Sequence, residues 1–442
     1  MDTAYRRADA AGRMPGTLLG ASLAALMLSG CIGQGIDEVS RLATYVHGTD
    51  AMTPAQKEAA ASPVISALQS RRSILPPGSP YSAVSDAVLA AYSRTAEAEL
   101  RAARLRARAA SKNWLPQIGP SISLTSLSDV VTNLVIEQVL FDNGRLKAER
   151  AFAKADVEVA AVDLADDTNE RIFTALSLYL DAIEARERAA LDTRTLADMG
   201  QFEWIMQQRV QGGVSDRSDL SVLGQKLGEI RLNLTSAEEA ASTALAELNA
   251  MAAVPLNDVK GLDVLLQRSG EARPLSVLRA LAEEDRDIAE ARSQRAGLLP
   301  GVTASGTVGS INDGGINVGG SLLGLGTADS LHAIEMQKDA AARRTSQAEE
   351  DAARRLRRLE QRVLALSRQT GESVRLTEQA RANLDLFQEQ YDSGQRQVMD
   401  VVGVYETFAA RETARVSLKY ELARAHLKSA RLIGHLADGS QI

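Results

Sequence analysis

Tyr391-Asp392-Ser393-Gly394-Gln395-Arg396-Gln397-Val398-Met399-Asp400-Val401-Val402 interrupts a helical pattern that otherwise runs from about Thr327 to about Ala437. Gly394 supplies the break, and the polar residues around it read as a helix stop followed by a restart. A second copy lies earlier, as Arg209-Val210-Gln211-Gly212-Gly213-Val214-Ser215-Asp216-Arg217-Ser218-Asp219-Leu220. Gly213 and Gly394 are 181 positions apart, and each is followed six residues later by aspartate and then an aliphatic residue. Two helical hairpins with matching tips make an internal repeat.

The rest of each repeat has the same order. Residues from Asp86 to Ser111 are Ala- and Arg-rich and read as helix, ended by Trp114-Leu115-Pro116. Ile118, Ile122 and Leu124 then alternate with Gly119, Ser121, Ser123 and Thr125, the period of a strand. After a turn near Ser128-Asp129, Leu134, Ile136 and Leu140 alternate with Asn133 and Glu137, with Val131, Val135 and Val139 on the polar face. Beyond Phe141-Asp142-Asn143-Gly144 a helical pattern runs to about Val210, on the order of 100 Å at 1.5 Å per residue. The return helix carries a heptad seam, Leu220, Leu223, Leu227, Ile230, Leu234, Ala237, Ala241, Ala244 and Leu248, which implies partner helices at shallow angles.

The second repeat answers element by element. Leu275 to Gly297 is helical, and Leu298-Leu299-Pro300 matches the earlier Trp-Leu-Pro. Val302, Ala304 and Val308 alternate with small polar residues, Asn312-Asp313-Gly314-Gly315 reads as a hairpin turn, and Ile316, Val318 and Leu322 form the next strand. The last helix, 397–438, has a seam of Val401, Val404 and Phe408 that Arg411 and Arg415 interrupt before Leu418, Leu422 and Ala425. The domain organisation expected is a signal peptide over 1–30, an extended N-terminal segment over 31–80 and a first repeat over 81–253 with strands in 116–140. A linker over 254–275 leads to a second repeat over 276–442 with strands in 300–324.

Composition sets outer bounds. The chain has 442 residues, 4% aromatic, with abundant alanine, which favours helices packed through small side chains. A net charge of −7 gives a nucleic-acid partner no electrostatic support. Arg6, Arg7 and Arg13 precede an apolar stretch from Met14 to Leu28, shorter than a membrane span. Leu28-Ser29-Gly30-Cys31 resembles a bacterial lipobox, which implies lipidation of Cys31, the only cysteine. Ile32, rather than aspartate, after that cysteine implies the outer membrane by the sorting rule of such lipoproteins.

Chemistry of catalysis is poorly supported. His47, His332, His426 and His435 are scattered without metal-site spacing. Gly324-Leu325-Gly326-Thr327-Ala328-Asp329 lacks the final glycine and the βαβ context of a dinucleotide loop, and reads as a strand-to-helix turn. No cofactor and no metal is implied. The fold class expected is mainly α with a small membrane β part: two long helical hairpins and four strands per chain. Strands of about ten residues with one apolar and one small polar face match membrane strands. Four cannot close a barrel, and an open edge is not tolerated in lipid, so copies must share one; three would supply about twelve strands.

The two-fold repeat, the Leu-Pro approach to each strand pair, Leu140-Phe141-Asp142-Asn143-Gly144 and the paired tips resemble the TolC-like outer-membrane factor family over about residues 80–438. That resemblance implies a homotrimeric tunnel, a β-barrel in the outer membrane and an α-barrel crossing the periplasm. It further implies an exit duct for a tripartite efflux pump or type I secretion system, working with a periplasmic adaptor and an inner-membrane transporter. By the same resemblance, Tyr391 and Arg396 bond to Ser218 and Asp219 to hold the entrance closed, and Asp400 forms an acidic ring. Gly403 stands where the family has a second acid, so a double ring is not carried over. The turns Gly212-Gly213-Val214 and Ser393-Gly394-Gln395 would meet the adaptor. Two readings compete with these. Asp219 and Asp400 equally suit helix caps, and a lipid-anchored periplasmic coiled-coil adaptor or scaffold without a pore explains the heptads but not the strands.

Overall fold

The computed structural model describes residues 62–441, apart from 93, 127–128, 267–271, 310–312, 320–323 and 325. The expected signal peptide and Cys31 lie outside the described residues, as do Ser128, Asn312 and Leu322. Two short helices come first, α1 (Pro63–Gln69) and α2 (Pro80–Ala91). Each opens on a proline preceded by a capping serine: Ile65 N–H donates to Ser62 Oγ, and Ser82 N–H to Ser79 Oγ, both at 3.2 Å.

The helix expected over Asp86–Ser111 is two helices, α2 and α3 (Thr95–Ala110). Tyr92 leaves helical geometry with ψ 116°. Its hydroxyl donates to Asp167 at 2.7 Å, and the Arg171 guanidinium sits 4.9 Å from its ring. Both partners lie on the long helix that follows, so tertiary docking overrides a strong local helix propensity.

The chain continues through β1 (Gln117–Ser126), β2 (Asp129–Phe141), α4 (Arg145–Gln211), α5 (Arg217–Met251), α6 (Leu275–Gly297), β3 (Gly301–Gly309), β4 (Asp313–Gly319), α7 (Thr327–Asp392) and α8 (Val398–Leu432). At 67 and 66 residues, α4 and α7 are each about 100 Å long. The spine is α4, which packs against α1, α2, α3, α5, α6 and α8. No single core covers it. Three apolar clusters follow one another along its length, around Val157–Ala165, Ile172–Leu191 and Met199–Met206.

Toward the tips the helices stand in the order α5-α4-α8-α7. The heptad seam of α5 is what meets α4: Leu223, Leu227 and Leu248 are fully buried, and Ala241 and Ala244 nearly so. The seam of α8 differs from expectation. Its buried stripe is Val401, Tyr405, Phe408, Val416, Tyr420 and Leu427, which passes beside Arg411 and Arg415 rather than through them. The tyrosines join the stripe because acidic side chains of α4 accept from their hydroxyls: Tyr405 Oη donates to Asp198 at 2.5 Å and Tyr420 Oη to Glu187 at 2.7 Å.

The four strands form one antiparallel sheet in the order β1-β2-β3-β4. Pairing of Ile118 with Ile136, Leu134 with Val308, Val302 with Val318 and Ala304 with Ile316 puts the apolar residues of all four strands on one face. That face is exposed, with Ile122 at 67% and Val318 at 75%. The opposite face carries Gly119, Ser121, Asn133, Ser305 and Thr307, with Val135 among them. The expected hairpin turn at Asn312–Gly315 is corrected: Asp313, Gly314 and Gly315 already pair with Thr307, Gly306 and Ser305. Glycines that could have made a turn instead give β4 a side-chain-poor start.

Phe141-Asp142-Asn143-Gly144 is the hinge between sheet and spine. Asp142 caps α4 doubly, accepting from Gly144 N–H at 3.0 Å and Leu146 N–H at 2.6 Å. Asn143 takes a left-handed conformation (φ 54°), and its Nδ2 donates to Pro300 O at 2.8 Å. One residue therefore fastens the end of the first strand pair to the start of the second. Replacing Asp142 by alanine should destabilise the fold by about 1 kcal/mol, read as a lower denaturation midpoint, and Asp142→Asn, which keeps one acceptor oxygen, should recover only part of it. An unchanged midpoint for Asp142→Ala would remove the capping role.

Candidate functional site: the paired helical tips

Both hairpins turn by the same device. In the first, Gly213 (φ 70°) N–H donates to Val210 O at 3.1 Å and Val214 N–H to Arg209 O at 2.8 Å. In the second, Gly394 (φ 77°) N–H donates to Tyr391 O at 2.9 Å and Gln395 N–H to Gln390 O at 2.8 Å. These are paired Schellman closures, and the left-handed position in each requires glycine. Each turn is also stitched by a side-chain bond between equivalent positions. Arg209 Nε donates to Ser215 Oγ at 3.1 Å, while Arg396 Nε donates to Gln390 Oε1 at 3.0 Å. The repeat keeps the stitch and exchanges which side donates. The 181-residue spacing that relates Arg209 to Gln390 and Ser215 to Arg396 is the signal in the sequence for this link.

The two aspartates part company. Asp400 Oδ2 accepts from Gln397 N–H at 3.1 Å as half of a capping box on α8. Asp219 occupies the same position on α5, where no side chain caps the helix, and among the described residues it has no ion-pair partner. Arg396 and Asp219 are not brought together within one chain. The Arg396 guanidinium instead lies 4.4 Å from the Phe387 ring centroid, on its own hairpin. Ser218 is exposed in the first turn of α5, and Tyr391 is half-buried against the apolar cluster beneath the tips. Gly212, Gly213, Val214, Ser393, Gly394 and Gln395 are all exposed.

Beneath the tips, Met206, Leu223, Leu384, Val398 and Val402 close one apolar cluster shared by both hairpins. Farther along, α4 and α8 are joined by a polar ladder that periodicity does not reveal. Lys419 Nζ and Tyr420 Oη both donate to Glu187, at 2.6 and 2.7 Å, and Arg424 pairs with Glu184 at 2.7 Å and with Asp181. Lys226 and Glu406 add a bond at 2.5 Å between α5 and α8. Burial pushes the Glu187 carboxyl up, but the bonds from Lys419 and Tyr420 outweigh it and hold the group below its ordinary value. Burial and the bond to Asp198 push the Tyr405 phenol up.

No family model matches the chain. In sequence it is similar to the outer membrane efflux protein BepC of Brucella suis biovar 1 (strain 1330), 26% identical over 218 residues. That match takes in 47% of the chain and 44% of the relative, so the chain spans less than half of it. In structure it is similar to the outer-membrane channel OprN, with a TM-score of 0.70, 18% identity and coverage of 88% of this chain and 99% of that one. The fold is that of the TolC-like outer-membrane factors. The outer membrane protein VceC of Vibrio cholerae gives the same answer, with a TM-score of 0.69, 14% identity and coverage of 80% and 96%. Against that channel fold, the mostly helical architecture, the small four-strand sheet and the repeated hairpins agree with the expectation drawn from the residues.

Because the Glu187 carboxyl is held below its ordinary value of 4.5, its contribution is present above pH 4.5 and is lost as pH falls through the lower folded-state value. Thermal melts of wild type should therefore lose stability below pH 4.5 more steeply than Glu187→Gln, which carries no titrating group there. Parallel pH profiles would show that the clasp contributes nothing.

Proposed function

We propose that this chain is one third of a passive outer-membrane exit duct, most simply the channel of an efflux pump. The observation that carries the reading is an exposed apolar sheet face combined with two free edges, β1 and β4. A sheet of this kind is unstable in water as an apolar patch and unstable in lipid as an open edge. Three copies remove both problems by closing about twelve strands into a barrel whose apolar face meets lipid. The helices support the same count, since α5 and α7 stand at the two ends of a four-helix order, and repeating it closes a hollow cylinder. The BepC likeness supports efflux over secretion. The site is the outer membrane, with the long helices reaching into the periplasm and Cys31 supplying a lipid anchor.

In this reading the tips are the periplasmic entrance. Among the described residues Asp219 has no ion-pair partner in its own chain, so the tip of a neighbouring copy is its natural complement, with Arg396 or Tyr391 as donor. Such a bond is partly solvated and worth about 1 kcal/mol. Three copies of it, one for each chain, would restrain rather than lock the entrance. Asp400 keeps one carboxylate oxygen beyond its capping bond and, repeated three-fold, makes a single acidic ring that favours cations. The exposed turns at Gly212–Val214 and Ser393–Gln395 meet the hairpin tips of a periplasmic adaptor, which couples the duct to an inner-membrane transporter.

The alternative, a lipid-anchored scaffold without a pore, leaves the apolar sheet face unexplained. Unboiled electrophoresis of outer-membrane extract decides between them. A detergent-stable band near three times the monomer mass is expected, and monomer alone in the soluble fraction would favour the scaffold. For the entrance, Arg396→Ser should raise single-channel conductance in planar bilayers. Equal conductance of variant and wild type would exclude Arg396 as a restraint. Cysteines placed in the two turns should crosslink to the adaptor in cells.

A further inference from the structure

Where α8 ends and α6 begins, side chains from α4, α6, α7 and α8 line a cavity of about 510 Å³. That volume suits a drug-sized molecule. Its charged lining is one-sided: Arg279, Arg355, Arg358, Lys428 and Arg431 against a single carboxylate, Asp166. Two of those cations are already paired. Arg279 meets Asp163 and Glu283, each at 3.0 Å, and Arg431 pairs with Glu170. Among the described residues, Arg355, Arg358 and Lys428 have no carboxylate within ion-pair distance.

A solvated basic stripe is the simpler explanation of Arg354-Arg355-Leu356-Arg357-Arg358, and it accounts for Arg354, which pairs with Asp351 on the helix surface. It does not account for the cavity. Arg355 and Arg358, one helical turn apart, are the members of the run that line it, together with Leu359. Val162, Leu275 and Leu432 give the remaining wall an aliphatic surface, with Ser276 beside them. Three unpaired cations beside an aliphatic wall ask for a ligand with a charged end and an apolar body. Two guanidiniums offer planar forks to an oxyanion, and desolvating them beside leucines strengthens the bond.

The direction in which the cavity opens is set by helical phase. Leu422 and His426 of α8, with Ile433 just past its end, face a second cavity that Ile74, Tyr81 and Leu265 help to line. At 3.6 residues per turn, Lys428, Arg431 and Leu432 stand on the opposite side of α8. The basic cavity therefore faces away from the segments that wrap that flank of the hairpins. On the duct reading, on which the placement alone rests, that is the side of the bore.

We propose that this cavity is a binding station for organic anions, amphiphilic carboxylates, sulfonates or phosphate esters. The anionic group sits among Arg355, Arg358 and Lys428, and the apolar body lies on Leu359, Val162 and Leu432. The duct would then carry anionic amphiphiles past a favourable station deep inside, beyond an acidic entrance.

Naphthalene disulfonate, which is water-soluble, is the probe. Calorimetric titration of the detergent-solubilised full-length protein should show saturable binding, weakened about tenfold or more in Arg355→Gln/Arg358→Gln/Lys428→Gln. All three side chains are exposed, so the variant should fold, which circular dichroism checks. No saturable binding by the wild type, or equal affinity in the variant, overturns the proposal. It is also overturned if the wild type binds no probe and the variant runs as monomer on unboiled gels, since a neighbouring copy's carboxylates then fill the cavity. Bilayer conductance of the same preparation separates the two readings. Binding without conductance defeats the duct and keeps the site; conductance without binding defeats the site alone.

Discussion

A helix of about 100 Å cannot be covered by one hydrophobic core, and everything else in this protein answers that constraint. Along α4 the answer changes with position. Short capped helices and the last turns of the chain wrap its middle, where Ile172, Leu176 and Leu180 are fully buried. Toward the tips the cover narrows to two neighbours, α5 and α8. The α5 seam, leucine near the tips and alanine farther along, handles one side, and a ladder of carboxylates against lysine, arginine and tyrosine handles the other. The ladder is antiparallel, running from Asp198 with Tyr405 to Glu170 with Arg431. Charged pairs half open to water contribute modestly one by one, but they specify register over a length where similar apolar steps would permit slippage.

The same incompleteness recurs at both ends of the molecule's layers. The sheet has two unpaired edge strands, and the helical layer has two edge helices. Backbone groups along β1 and β4 need partners, and no described helix supplies them. On the duct reading proposed above, an arrangement open in the same sense at two levels suits a closed ring of copies, because one rotation must satisfy both layers together. The strand-to-helix hinge makes this possible. Asp142 and Asn143 tie the end of β2, the approach to β3 and the start of α4 together.

Much of this was legible in the residues. Alternation of Ile118 and Ile122 with small polar residues marked strands with one apolar face, three-four spacing marked the α5 seam, and the 181-residue recurrence marked two equivalent tips. These signals survive because they are local: side-chain period follows backbone geometry. What failed was non-local. Tyr92 breaks a helix because Asp167 and Arg171 hold it, Asp313–Gly315 pair in a strand because β3 is beside them, and Tyr405 joins a core stripe because Asp198 accepts a hydrogen bond from its hydroxyl.

The tips show the division most clearly. The chain alone determined that both hairpins must turn at a glycine, since only glycine enters the left-handed region there cheaply, and that an aspartate follows at the same distance. It could not say that Asp400 would be drawn into a capping box while Asp219 would not, or that Arg396 would turn back onto Gln390 and Phe387. Local period fixes where a chain bends. Which of two equivalent side chains stays free depends on neighbours brought together only by packing.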